Sequence, residues 1–200
     1  CTSRQKYETA MVQLADVVER TIERVASESK HKDVVMFENF HRLNHHYKLL
    51  KVDSLKAQAT VALCKYRENL NTYVSTTLDQ PLPLLNDFFE GVERFIQNGT
   101  PDAEVHYNMN YSKEKLRKCI SLYPRKAIKK VLESTFARVD KVVSESENLR
   151  AVVWQYIQDA FVALFKKYDD LIRRCYPGAD IALPLTVADL LQDFNAVAKA

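Results

Sequence analysis

SENLRAVVWQYIQDAFVALFKKYDDLIRRCYPG, Ser146 to Gly178, decides the fold class of this chain. Leu149, Val153, Tyr156, Ile157, Ala160, Phe161, Leu164, Tyr168, Leu171 and Cys175 recur there at intervals of three and four. That period lines one face of an α-helix, so a long helix is predicted from Ser146 to Tyr176. Cys175-Tyr-Pro-Gly178 stops it, because proline and glycine both break the helical pattern. Its most apolar part, Ala151 to Phe165, contains Asp159 and two glutamines. It is too short and too polar to cross a bilayer.

Upstream, Ile128, Val131, Leu132, Thr135, Phe136, Val139, Val142 and Val143 form a second amphipathic stripe, with a weak break near Ser144. Tyr123-Pro124 starts that helix, and Ser112 is the expected N-cap of a shorter one, SKEKLRKCISL. GTPDAEVHYNMNY, residues 99–111, has no period and reads as a linker or as a long loop within one domain. Before it, Leu84, Leu85, Phe88, Phe89, Val92, Phe95 and Ile96 mark another helix, opened by Pro81 and Pro83. These prolines read as a helix–helix corner and lack the spacing of a polyproline ligand.

Further helices are predicted over 55–78, 34–50 and 3–28, the last from Met11, Leu14, Val17, Val18, Ile22 and Val25. ASESKHKD, Ala26 to Asp33, is polar and reads as a turn. Downstream of the opening stretch, Thr186-x-x-Asp189 resembles a capping box and opens a final helix. No strand pattern is present. The expected fold is all-α, with helical bundles over 1–98 and 112–200 that are either separate or one continuous domain.

Composition narrows the function classes. Two hundred residues suffice to bury a core without staples. Gly91, Gly99 and Gly178 are the only glycines, which excludes a glycine-rich phosphate loop. The net charge of +3 does not mark a nucleic-acid protein, and no aromatic-plus-basic recognition motif occurs. Cys1, Cys64, Cys119 and Cys175 are scattered, which suits reduced intracellular thiols, and Cys64, Cys119 and Cys175 are expected on or near buried helical faces. Asn98-Gly-Thr100 and Asn110-Tyr-Ser112 match the glycosylation pattern, a common chance match. A start at Cys1 rather than Met predicts a fragment or a processed product.

FENFHRLNHH, Phe37 to His46, raises the question of a metal, because Glu38/His41 and Glu28/His31 are Glu-x-x-His pairs. A helical wheel centred on Phe40 groups Met36, Phe37, Leu43, Tyr47 and Leu50 as the core face. Glu38, His41 and His45 fall roughly 100–160° away, toward solvent. A solvated face is therefore expected, and no metal or cofactor is predicted. Hydrolase signatures are absent as well, so no catalytic residue is assigned.

Charge is sorted along the chain. Residues 79–104 hold six acids and one arginine, whereas residues 113–130 hold eight bases and one acid. The candidate contact residues are Lys113, Lys115, Arg117, Lys118, Lys126, Lys129 and Lys130, with Arg125 in the same run. Three readings stay open for them: a solvated face, a protein contact, or contact with an anionic membrane. Glu133 lies within one turn of Lys129 and Lys130 and is expected to neutralise part of the charge.

QPLPLLNDFFEGVE (Gln80 to Glu93), YPRKAIKKVLE (Tyr123 to Glu133), Val139 to Lys141, ENLRAVVW (Glu147 to Trp154) and YDDLIRRCYPG (Tyr168 to Gly178) resemble the C-terminal region of the exocyst complex component 1 family. Asn39-Phe-His41 fits the same resemblance, which runs in order from about Val34 onward. It implies an elongated rod of consecutive antiparallel helical bundles of the tethering-complex (CATCHR-like) type. It further implies a non-enzymatic role in tethering secretory vesicles to the plasma membrane before fusion. The implied partners are other exocyst subunits, small GTPases reached through the complex, and weak or indirect anionic membrane contact, with no nucleic acid. The implied location is cytoplasmic, with recruitment to sites of exocytosis. The family's phosphoinositide-binding domain lies elsewhere in the full subunit, which argues against Lys126 or Lys130 as a main membrane anchor.

Overall fold

The computed structural model describes residues 2–199 and is built from helices, with no strand among the described residues. In chain order they are α1 (Thr2–Ser27), α2 (Lys32–Leu50), α3 (Lys56–Asp79), α4 (Pro83–Gln97), α5 (Lys113–Ser121), α6 (Arg125–Val142), α7 (Leu149–Cys175) and α8 (Val187–Val197). Short 3-10 turns occupy Asp53–Leu55, Asp102–Tyr107 and Ser146–Asn148. The stretch 99–111 thus carries a 3-10 turn, and Val105 within it is fully buried.

Helix starts and stops follow local chemistry. Pro83 occupies the first turn of α4, where a missing N–H costs nothing. Thr186 and Asp189 close a reciprocal capping box on α8, since an aspartate at the third position also reaches back to the cap N–H. Gly178 adopts φ +67° just after α7, a conformation that suits a residue without Cβ.

Packing groups the chain into two compact units, Cys1–Ser75 with Asp140–Val153, and Thr76–Val139 with Trp154–Ala200. This partition follows packing, whereas the expected bundles 1–98 and 112–200 follow the chain. In the first unit, Phe37, Phe40, Leu55, Leu70 and Val153 are buried. Phe37 and Tyr73 set their rings 5.5 Å apart, and Asn44 of α2 donates to the Ala59 carbonyl of α3 at 2.6 Å. Lys65 of α3 reaches Glu19 at 3.4 Å and Glu23 at 2.6 Å on α1, and its Nζ lies 4.9 Å from the Phe40 ring centroid.

The buried face of α1 differs from the expected stripe. Ala15, Glu19 and Ala26 are buried, whereas Leu14, Val17 and Val25 are exposed. Small alanines let α1 approach its neighbours closely, and the larger aliphatics sit to one side. Leu50, assigned to the core face of α2, is also exposed. It stands at the end of α2, just before Lys51 turns the chain with φ +52°.

In the second unit, Leu85, Phe89 and Val92 of α4 and Phe161, Phe165 and Tyr168 of α7 are buried. Phe89 stacks on Tyr168 at 4.2 Å. The Tyr168 hydroxyl donates to Asn86 Oδ1 at 2.7 Å, and Asn86 Nδ2 donates to the Leu78 carbonyl at 3.1 Å. Both ends of a buried amide are thereby bonded, as burial requires. Tyr156, expected inside, is exposed, and Trp154 takes the inward position between Phe136 and Phe194.

Candidate functional site

Ser112 caps α5, its Oγ accepting the Lys115 N–H at 3.4 Å, and the fully buried Leu116 anchors the helix. On α6, Ile128 and Leu132 are the inward residues. This register turns Lys115, Arg117, Lys118, Lys126, Lys129 and Lys130 outward, while Lys113 is half-buried.

The basic residues then divide by what holds them. Arg117 donates to the Ala179 carbonyl at 2.6 Å. Arg125 binds Asp189 at 3.0 Å and Asp193 at 3.3 Å, which fastens the start of α6 to α8. Hydrogen bonds to Thr186, together with Arg125, hold the Asp189 carboxyl below its ordinary pKa. Lys115 reaches the Asn110 side chain at 3.2 Å. Among the described residues, no hydrogen bond or ion pair holds the side-chain amine of Lys113, Lys118, Lys126, Lys129 or Lys130. The expected pairs of Lys129 and Lys130 with Glu133 are not formed. Helical spacing permits such contacts, but long exposed side chains lose entropy in making them.

Two exposed leucines at or bonded to the α5–α6 turn are absent from the candidate residues. Leu122 lies in the α5–α6 turn, between Lys118 and Lys126, and Leu84 opens α4. Tyr123 Oη accepts the Leu84 N–H at 3.2 Å, so the turn is tied to the start of α4. Leu84 belonged to the predicted apolar stripe of α4, and Leu122 had no signal beyond its place in a basic run.

The segments that carried the resemblance build the scaffold behind this surface. A Cβ at Gly91 would fall 2.6 Å from the Tyr111 hydroxyl, so glycine lets that ring lie against α4. Tyr176 Oη donates to the Tyr111 carbonyl at 2.9 Å, and His106 Nδ1 lies 3.2 Å from the Cys175 carbonyl. With Arg117 on Ala179, the backbone around Cys-Tyr-Pro-Gly is bonded by side chains from the 3-10 turn and α5.

No arrangement for covalent chemistry appears in this set. Burial pushes the Cys175 thiol up to about 11, and it raises Cys119 as well, so both stay protonated at neutral pH. Cys64 is exposed rather than on a buried face, and Cys1 lies outside the described residues.

The histidine stretch needs a correction. Of the three wheel positions assigned to solvent, only His45 is exposed. Glu38 is half-buried and accepts the Ser144 N–H at 2.5 Å, and the His41 ring lies 5.0 Å from that of Tyr66. A wheel assumes one buried side, but here α3 and the α6–α7 loop both pack against α2. Among the described residues, no three His, Cys, Asp or Glu side chains gather to hold a metal ion. No described helix is long and apolar enough to cross a membrane.

Comparison with known proteins agrees across most of the chain. The family model "Exocyst complex component Sec3, C-terminal" matches residues 1–178. Exocyst complex component 1 of Mus musculus is 41% identical over 181 residues, 90% of this chain and 20% of that protein. The Drosophila melanogaster protein of the same name is 38% identical over 167 residues, 84% of this chain and 19% of its own. The Dictyostelium discoideum protein is 19% identical over 170 residues, 85% of this chain and 19% of its own. The chain spans about a fifth of the length of these relatives. No solved structure matches it. The family match over residues 1–178, with identities of 41% and 38% over most of the chain, places this chain in the exocyst complex component Sec3, C-terminal, family.

Proposed function

We propose that this chain is a helical module of an exocyst subunit that helps tether secretory vesicles to the plasma membrane by binding other subunits. The family match over residues 1–178 carries this reading. Its role is structural and non-enzymatic, and its working location is the cytoplasm, with recruitment to plasma-membrane sites of exocytosis. Small GTPases reach the module through the assembled complex.

The contact surface we infer is the outward side of α5 and α6, with Leu84 and Leu122 beside Lys118, Lys126, Lys129 and Lys130. Exposed apolar side chains with charged neighbours suit a protein interface, whose centre is apolar and whose rim is polar. The test is capture of the remaining exocyst subunits by the folded chain, with and without Leu122→Asp and charge reversal at Lys118 and Lys126. Recovery should fall at least tenfold in the variants. Equal recovery would remove this surface from the proposal, and no recovery by the unaltered folded chain would remove the proposal itself.

The five unpartnered lysines also favour a second reading, contact with anionic lipid, at roughly 1 kcal/mol for each base near the surface. It predicts sedimentation with anionic liposomes at low salt and loss of binding on charge reversal at Lys126, Lys129 and Lys130. Equal binding to neutral liposomes would refute it.

A further inference from the structure

The segment joining α6 to α7 has a local chemistry apart from the basic run of α5 and α6. Arg42 of α2 is half-buried, and its Nη2 donates to the Ser144 hydroxyl at 3.1 Å and to the Ser146 hydroxyl at 3.0 Å. Among the described residues, no carboxylate forms an ion pair with Arg42. A permanently charged guanidinium therefore rests on two neutral acceptors, although its planar fork matches carboxylate and phosphate best. Among the described side chains, the neighbouring acids Asp140, Glu145 and Glu38 are already engaged. Arg150 binds Asp140 at 2.5 Å and Glu145 at 3.3 Å, and Glu38 is bonded to the Ser144 N–H.

We propose that Ser146 is a site of serine phosphorylation and that Arg42 receives the phosphate. The modifying enzyme is a serine/threonine kinase that accepts acidic flanks, since Glu145 and Glu147 bracket Ser146 in the sequence. In the transfer, Ser146 Oγ forms a bond to the γ-phosphorus of a nucleoside triphosphate. The bond from that phosphorus to the β–γ bridging oxygen breaks, its electron pair leaves on the nucleoside diphosphate, and the hydroxyl proton passes to the kinase's base.

The geometry selects Ser146 over Ser144. Ser146 is exposed, and among the described side chains no carboxylate bonds to it. Ser144 is half-buried, and a dianion there would face the Glu38 carboxylate that holds its N–H. A phosphate adds about −1.5 to −2 charges at pH 7 and offers strong acceptors to a waiting arginine. Neutral hydrogen bonds would become charge-assisted ones, fastening the 143–148 segment to α2 within the first unit.

The test treats the folded chain with an acid-directed serine/threonine kinase and ATP, with a peptide of the same loop as the reactivity control, and maps the phosphate by mass spectrometry. The expected product carries phosphate on Ser146. Its 31P titration should then show a second pKa below the usual value of about 6, returning to that value in Arg42→Gln. Phosphoserine placed at 146 should raise Tm by about 2–4 °C with Arg42 present and leave it unchanged in Arg42→Gln. Arg42→Lys, which keeps the charge and loses the fork, should give an intermediate pKa and serves if Arg42→Gln fails to fold. A peptide that is modified while the folded chain is not, phosphate on Ser144 alone, or a phosphate pKa indifferent to both Arg42 variants would each overturn the proposal.

Discussion

Helices α4 and α1 were both read from apolar residues at helical spacing, yet they use those residues in opposite ways. In α4 the large side chains Leu85, Phe88, Phe89 and Val92 are the ones that are buried. In α1 the buried residues are Ala15, Glu19 and Ala26, while Leu14, Val17 and Val25 stay exposed at 63%, 56% and 48%. Period establishes that a helix exists. Which side faces the core depends on how closely the neighbour approaches, and alanine allows the closest approach.

The contrast can be broken by mutation. Phe89→Ala removes a fully buried ring that stacks on Tyr168 and should cost about 3–5 kcal/mol in urea unfolding. A loss below about 1 kcal/mol would show that the α4 face is not what holds its unit together. Gly91→Ala sets two effects against each other. Alanine gains about 1 kcal/mol in helix propensity. It also places a Cβ 2.6 Å from the Tyr111 hydroxyl, and that ring is confined by Phe88 and Phe95. Overpacking of this kind costs about 1–3 kcal/mol, so the expected net change is a loss of about 1 kcal/mol. Gly91→Ala that stabilises the chain would mean that Tyr111 moves aside freely.

Leu14→Ser on α1 should change stability by less than about 0.5 kcal/mol, as for an open surface position. If that substitution approached the cost of Phe89→Ala, the exposed stripe of α1 would have to be covered in solution. The three variants together separate a face that packs from one that only has the pattern of packing.

Most helices were legible because their signals are local. Proline at the start of α4, Ser112 before α5 and the Thr186/Asp189 box before α8 each act within one turn. The 3-10 turn at Asp102–Tyr107 was not legible, because its residues show no period and Val105 is its sole buried apolar side chain. The candidate site was legible as a run of charge and no further. Arg117 and Arg125 are held by Ala179, Asp189 and Asp193, which lie beyond the reach of any spacing rule. Conversely, the Lys–Glu133 spacing was present and the pairs were not. A surface lysine gains too little from one carboxylate for sequence distance alone to decide the matter.

The two kinds of lysine differ in their reactivity toward acylating reagents, which attack only the uncharged amine. Burial opposes the ammonium of Lys65, but Glu23 and Glu19 hold it charged and raise its pKa, and Glu23 lies 2.6 Å away. Lys118, Lys126, Lys129 and Lys130 are open to the reagent. An amine-specific cross-linker will therefore label Lys118, Lys126, Lys129 and Lys130 before it labels Lys65. When partners assemble, slower labelling of those outer lysines against an unchanged Lys65 would trace the footprint of whatever covers them.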